Sequence, residues 1–128
     1  MSRIGTRLID RTEFKTKPKP VTFLADDKVS NAVSVMSEKN YGSVIIVDKQ
    51  EKVIGVVTER DIVKKLVNAG LSPKNTKLEK IMTKNPKTLS PDIRVNEAFK
   101  LMNKQSITNC FITKKKIPIG IIHLHDIL

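Results

Sequence analysis

Tryptophan is absent from this 128-residue chain, and tyrosine and cysteine occur once each. A single cysteine, Cys110, excludes a disulfide framework within the chain and any cysteine-based zinc cluster. A reduced, cytoplasmic setting is therefore expected. Long apolar runs are also lacking. Val44-Ile45-Ile46-Val47 is typical, far short of the roughly 18 to 20 residues that a membrane span takes. The N-terminus has no apolar h-region, so no secretory leader is expected. Acid is the scarce charge, with 13 Asp plus Glu against 24 Lys plus Arg, net +11. No Ser–His–Asp arrangement, P-loop or pair of catalytic acids stands out, so no enzyme is expected. The length suits one compact unit or two very small fused ones. A chain of this size buries roughly two-thirds of its unfolded surface and needs neither disulfides nor metal to fold.

The positive charge is uneven. Residues 1–19 carry net +4, residues 20–70 net zero and residues 71–128 net +7. A positive half favours polyanions such as nucleotides, nucleic acid, acidic lipid or an acidic protein. The plainer reading is a solvated, Lys-rich surface. Of the 24 basic residues 19 are Lys, whereas bidentate readers of phosphate or bases are more often Arg.

An internal repeat organises the chain. Pro20, Thr22, Asp26, Val29, Ala32 and Met36 recur 66 residues later as Pro86, Thr88, Asp92, Val95, Ala98 and Met102. After one deletion Gly55, Asp61 and Ile62 align with Gly120, Asp126 and Ile127. Two copies suit a fused pair packed face to face better than an array. Each copy reads as strand–helix–strand–strand–helix. In the first, a strand lies near 21–24 and a helix over 29–39, with Val29, Ala32, Val33 and Met36 on one face. A buried strand follows over 43–47, a polar hairpin turn over 48–52 and a strand over 53–57. Thr58-Glu59-Arg60-Asp61 then opens a helix to about Val67, stopped by Gly70. In the second copy the strand falls at 87–89 and the helix at 95–104, with Val95, Ala98, Phe99 and Met102 inward. Lys114-Lys115-Lys116 occupies its hairpin turn, either simply solvated or touching a polyanion. Cys110 matches Val44 and reads as buried apolar filler. Residues 71–85 read as a link and residues 1–19 as a polar arm. Neither copy alone covers both faces of its sheet, so neither is expected to be stable by itself.

Two segments bear chemistry: Gly55-Val56-Val57-Thr58-Glu59-Arg60-Asp61 and Gly120-Ile121-Ile122-His123-Leu124-His125-Asp126. In each a strand runs straight into a helix N-terminus, where unpaired N–H groups and the helix dipole attract an anion. A carboxylate one turn in can accept both hydroxyls of a ribose. A hydroxyl at the strand end can serve ribose or phosphate, and Val56 and Ile121 can wall a flat base. Capping competes with this reading, since Thr58 is a good N-cap and Asp61 stands where a capping-box acid stands. In the second copy His123 is a poor N-cap and yet Asp126 is kept, which capping alone does not explain. Both roles can hold at once.

These two segments, with Ile81-Met82-Thr83 ahead of Asn85-Pro86, resemble a CBS (cystathionine-β-synthase) domain pair, or Bateman module, over about residues 14–128. The resemblance implies an α+β fold of two tandem β-α-β-β-α motifs packed through their sheets with pseudo-two-fold symmetry. Residues 1–15 would be a basic arm, 16–70 the first motif, and 71–128 the linker and second motif. It implies a regulatory module without catalysis and without a required cofactor. Its clefts would bind an adenosine-bearing ligand such as AMP, ADP, ATP or S-adenosylmethionine, and a regulated protein partner would read the outcome. By the family pattern, cleft one combines Val56, Thr58 and Asp61 with Thr83, Lys87, Ile107 and Thr108. Cleft two combines Ile121, His123 and Asp126 with Thr16, Val21, Tyr41 and Gly42. Arg60 and His125 are candidates for a phosphate contact. His123 stands where the family carries a hydroxyl residue, so cleft two is either tuned differently or empty. Family members commonly pair again, and the final helix barely begins before Leu128, so a homodimer that covers Ile127 and Leu128 is expected. No metal site is expected, because His123 and His125 lie two residues apart at a strand–helix junction and further ligands are not evident. The rival readings are a nucleic-acid-binding protein using the basic arm and second repeat, and a scaffold with vestigial clefts.

Overall fold

The computed structural model describes Arg7, residues 20–104 and residues 109–123. In the first repeat, β1 (Thr22–Leu24) pairs in parallel with β2 (Ser43–Val47), Leu24 lying opposite Val47. Parallel neighbours need a crossover, and α1 (Val29–Lys39) makes it. Apolar residues at helical spacing set its inner face: Val29, Ala32 and Met36 are buried and Val33 packs beside them. Lys28 gives α1 no side-chain cap. Instead the N–H groups of Val29 and Ser30 donate to the carbonyls of Thr76 and Pro73, both at 2.9 Å. The helix ends at Asn40, which takes the left-handed conformation that Asn tolerates.

β2 is buried along its whole length, as a continuous β-branched run requires. The Asp48 carboxylate shapes the next turn by accepting from the N–H groups of Gln50 and Lys52. β3 (Val53–Thr58) then returns antiparallel, with Thr58 opposite Ser43. α2 starts as Glu59–Asp61 and continues as a π-helical stretch, Ile62–Val67. The expected helix is present but wound wider. Asn68 and Leu71 donate to carbonyls five residues back, Val63 and Leu66, and Gly70 closes the turn at φ +69°.

Residues 71–85 are more than a link. Leu78–Lys80 forms a 3-10 turn, and Leu78 and Ile81 are fully buried in the same core as α1 and β2. β4 (Thr83–Lys84) adds antiparallel to β3, completing a sheet of order β1-β2-β3-β4.

The second repeat follows the same plan over its described residues. β5 (Thr88–Leu89), α3 (Val95–Lys104), β6 (Asn109–Lys114) and β7 (Ile117–His123) form a three-stranded sheet of order β5-β6-β7 with its own core. Val95, Ala98 and Met102 are buried there with Cys110, and Phe99 packs against them. The chain divides after a proline in each repeat. Val21–Pro86 form one unit, and Lys87–Leu128 with Met1–Pro20 form the other. Equivalent contacts tie a connector into each unit. Lys77 bridges Lys28 and pairs with Asp26 at 3.3 Å; Arg7 bridges Arg94 and pairs with Asp92 at 3.3 Å. Among the described residues, no helix is long and apolar enough to cross a membrane.

Candidate ligand site at the end of β3

β3 carries Thr58 to the end of the sheet, where the chain turns directly into α2. Thr58 is the extended N-cap. Its hydroxyl accepts from the Asp61 N–H at 3.1 Å, and its own N–H donates to Asp61 Oδ2 at 2.9 Å, a reciprocal capping box. The Thr58 hydroxyl also donates to Asp61 Oδ2 at 3.1 Å. The N–H of Glu59 donates to the Gly42 carbonyl at 3.1 Å, which fixes the start of α2 against the start of β2.

Asp61 is buried, at 6% exposure, and has further partners. The Thr83 hydroxyl lies 3.0 Å from Oδ1 and 3.3 Å from Oδ2, and the Lys65 ammonium lies 3.0 Å from Oδ1. Lys65 also donates to Thr83 Oγ1 at 3.4 Å. A buried carboxylate needs such donors, and the ammonium supplies the compensating charge. Gly55 makes room for this arrangement. A Cβ there would stand 2.6 Å from Met82 Sδ and 3.2 Å from the Thr83 carbonyl, so only glycine lets this stretch lie so close to β3. Thr83 then falls opposite Val56 in the β3–β4 pairing, within reach of Asp61.

The structure thus gathers Val56, Thr58, Asp61 and Thr83, with Arg60 exposed on the first turn of α2. Sequence reading overlooked Lys65, although its signal was present: an acid followed four residues later by a lysine shares a helix face with it. Val21, Tyr41 and Gly42 are half-buried in the first unit, Gly42 at the end that carries Thr58. Lys87 is exposed in the other unit. There its carbonyl accepts from Cys110 Sγ at 3.3 Å. Burial pushes the Cys110 thiol up to about 11, with the Lys87 charge pulling partly the other way. Ile121 is half-buried on β7 opposite Phe111. His123 closes β7 opposite Asn109, the register position that Thr58 holds opposite Ser43. Its side chain, and Thr16, Ile107, Thr108, His125, Asp126, Ile127 and Leu128 altogether, fall outside the described residues.

The CBS domain family model matches residues 12–68 and 78–128. The chain belongs to the CBS domain family. This CBS pair is 35% identical, over 80% of its length, to the mitochondrial CBS domain-containing protein CBSX3 of Arabidopsis thaliana, of which it covers 52%. It spans between 31% and 59% of the length of the first curated relatives it matches. Among solved structures it resembles a putative signal-transduction protein with CBS domains from Burkholderia ambifaria. That likeness has a TM-score of 0.79 and 30% identity, covering 89% of this chain and 86% of the other. It also resembles the CBS domain pair of protein MJ0100 in complex with 5′-methylthioadenosine and S-adenosyl-L-methionine. Here the TM-score is 0.79 and the identity 26%, covering 95% of this chain and 92% of the other.

Proposed function

We propose that this CBS pair is a regulatory, non-catalytic module that senses an adenosine-containing ligand of the AMP, ADP or ATP kind and passes that state to a partner protein. The observation that carries the reading is the Asp61 carboxylate, set one turn into α2 beside the Thr58 and Thr83 hydroxyls. Both ligands of the MJ0100 pair are adenosine derivatives, which supports the same class here. A vicinal diol donates two hydrogen bonds to a carboxylate, so Asp61 would take the ribose, Thr58 ribose or phosphate, Val56 one face of the base and Arg60 a phosphate. In the second repeat Ile121, His123, His125 and Asp126 would take the matching parts. Ligand binding then shifts the module between states by its differential affinity for them. The module acts as a homodimer in the cytoplasm and needs no cofactor to fold. Calorimetric titration with AMP, ADP, ATP and S-adenosylmethionine tests this. At least one is expected to bind and to raise the melting temperature. Binding by none of them overturns the reading.

A further inference from the structure

We propose that Lys65 decides which ribosides the Asp61 site accepts, favouring those that carry an anionic group over neutral nucleosides. The proposal rests on the reading that Asp61 receives a ribose diol. An ionised carboxylate offers about four acceptor positions. In this structure they are occupied. Oδ2 takes the N–H and the hydroxyl of Thr58, and Oδ1 takes the Lys65 ammonium, with the Thr83 hydroxyl reaching both oxygens. A diol therefore has to displace something.

The candidates differ in how readily they leave. The Thr58 N–H bond to Oδ2 is half of the capping box and cannot be given up without loosening the start of α2, whereas the Thr58 hydroxyl, which caps by accepting from the Asp61 N–H, gives up only a neutral bond if it turns from Oδ2 to a ligand. Thr83 is held in β4 by its pairing with Val56. Lys65 is the mobile partner: its side chain is 45% exposed against 7% for Asp61, and it ends a flexible four-carbon stem. A neutral nucleoside that displaces it exchanges a charge-assisted hydrogen bond for neutral ones and sends the ammonium into solvent without a partner. A riboside bearing phosphate offers the released ammonium a new anion in the same step. The ion pair between Asp61 and Lys65 is thus a filter on ligand charge as well as a resting state of the site.

Calorimetry with adenosine and AMP, on wild type, Lys65→Met and Lys65→Arg, tests this. Met keeps the stem length and helix preference without the charge. Lys65→Met is expected to bind adenosine about two- to five-fold tighter, the range set by one partly exposed ion pair, and AMP no tighter. The preference for AMP over adenosine then falls, and Lys65→Arg restores it. Salt supplies a second reading. Wild-type affinity for adenosine should rise with ionic strength as the competing ion pair is screened, and that of Lys65→Met should stay flat. Equal shifts for both ligands, or none, overturn the filter. If Asp61→Asn abolishes binding of both ligands while Lys65→Met changes nothing, the ribose reading stands and the filter alone is wrong. A wild type that binds neither compound overturns both.

Discussion

Asp61 holds two positions at once, and substitutions can separate them. Its N–H and carboxylate close the capping box with Thr58, and the carboxylate also gathers Thr83 and Lys65. Asp61→Ala is expected to weaken nucleotide binding by about 1.5–3 kcal/mol, the range for a hydrogen bond to a charged group. Titration of the variant checks this, and unchanged affinity with lowered stability would leave Asp61 as a cap only. Gly55 shows how a residue without a side chain supports the same site. Gly55→Ala forces Met82 or the Thr83 backbone to move, so denaturant melts should show a loss of about 1–3 kcal/mol. Cys110 is the buried thiol of the second unit. Its folded value, about 11, lies above the ordinary 9.0, so the folded protein holds the thiol proton more tightly. Any stability linked to that proton is whole below pH 9 and is lost as pH rises through about 11. Thiol labelling at pH 8 should be slow until the second unit opens. Rapid labelling of the native protein would contradict the buried thiol.

At the scale of elements, legibility followed pattern strength. The helices 29–39 and 95–104 were readable to the residue because Val29, Ala32 and Met36, and their repeat partners, keep helical spacing ahead of polar ends. Thr58 and Asp61 were readable because a cap leaves a short local signature. The connector 71–85 was not. Its two buried anchors, Leu78 and Ile81, stand three apart among lysines and polar residues, too few to show a period. Thr83 was placed in the site by family resemblance, and its bond to Asp61 depends on a strand pairing that no local pattern encodes. The buried connector makes a direct prediction. Leu78→Ala should cost about 2–5 kcal/mol, as for a core leucine and not a surface link. The second hairpin supplies the opposite case. Lys115 and Lys116 both have positive φ, 52° and 67°, in a two-residue turn that prefers Asn-Gly. Lys116→Gly is expected to stabilise by about 0.5–1 kcal/mol, readable as a raised denaturation midpoint.

For the whole molecule, the question is where one unit ends. Sequence places the cut after Gly70, where the helical pattern of the first repeat stops, yet that cut removes pieces that the first unit uses. The carbonyls of Pro73 and Thr76 cap α1, Leu78 and Ile81 fill its core, and β4 covers the edge of β3 and brings Thr83 to Asp61. The exposed N–H groups left at the start of α1 would have only water, because Lys28 provides no side-chain cap. The segment Val21–Pro86 keeps all of these within 66 consecutive residues. A chain that short is marginal, since small domains bury only about 60% of their unfolded surface, so losing two core side chains and a helix cap should be decisive. Circular dichroism on fragments 21–86 and 16–70 at equal concentration tests this. Fragment 21–86 is expected to hold more helix and to melt more cooperatively, and 16–70 to be largely unfolded. Equal spectra and melts would mean that residues 71–86 are carried by the unit without supporting it. The intact chain meanwhile leaves Val63 and Val67 exposed at 60% and 66%, one turn apart on the outer side of the π-helical stretch. A second copy covering them would serve the proposed homodimer, whose signal in the sequence, Ile127 and Leu128, falls outside the described residues. Light scattering should therefore give twice the 14.4 kDa chain mass, and Val63→Lys with Val67→Lys should return it to a single chain without lowering the helix signal. A wild-type mass of one chain at micromolar concentration would rule that assembly out.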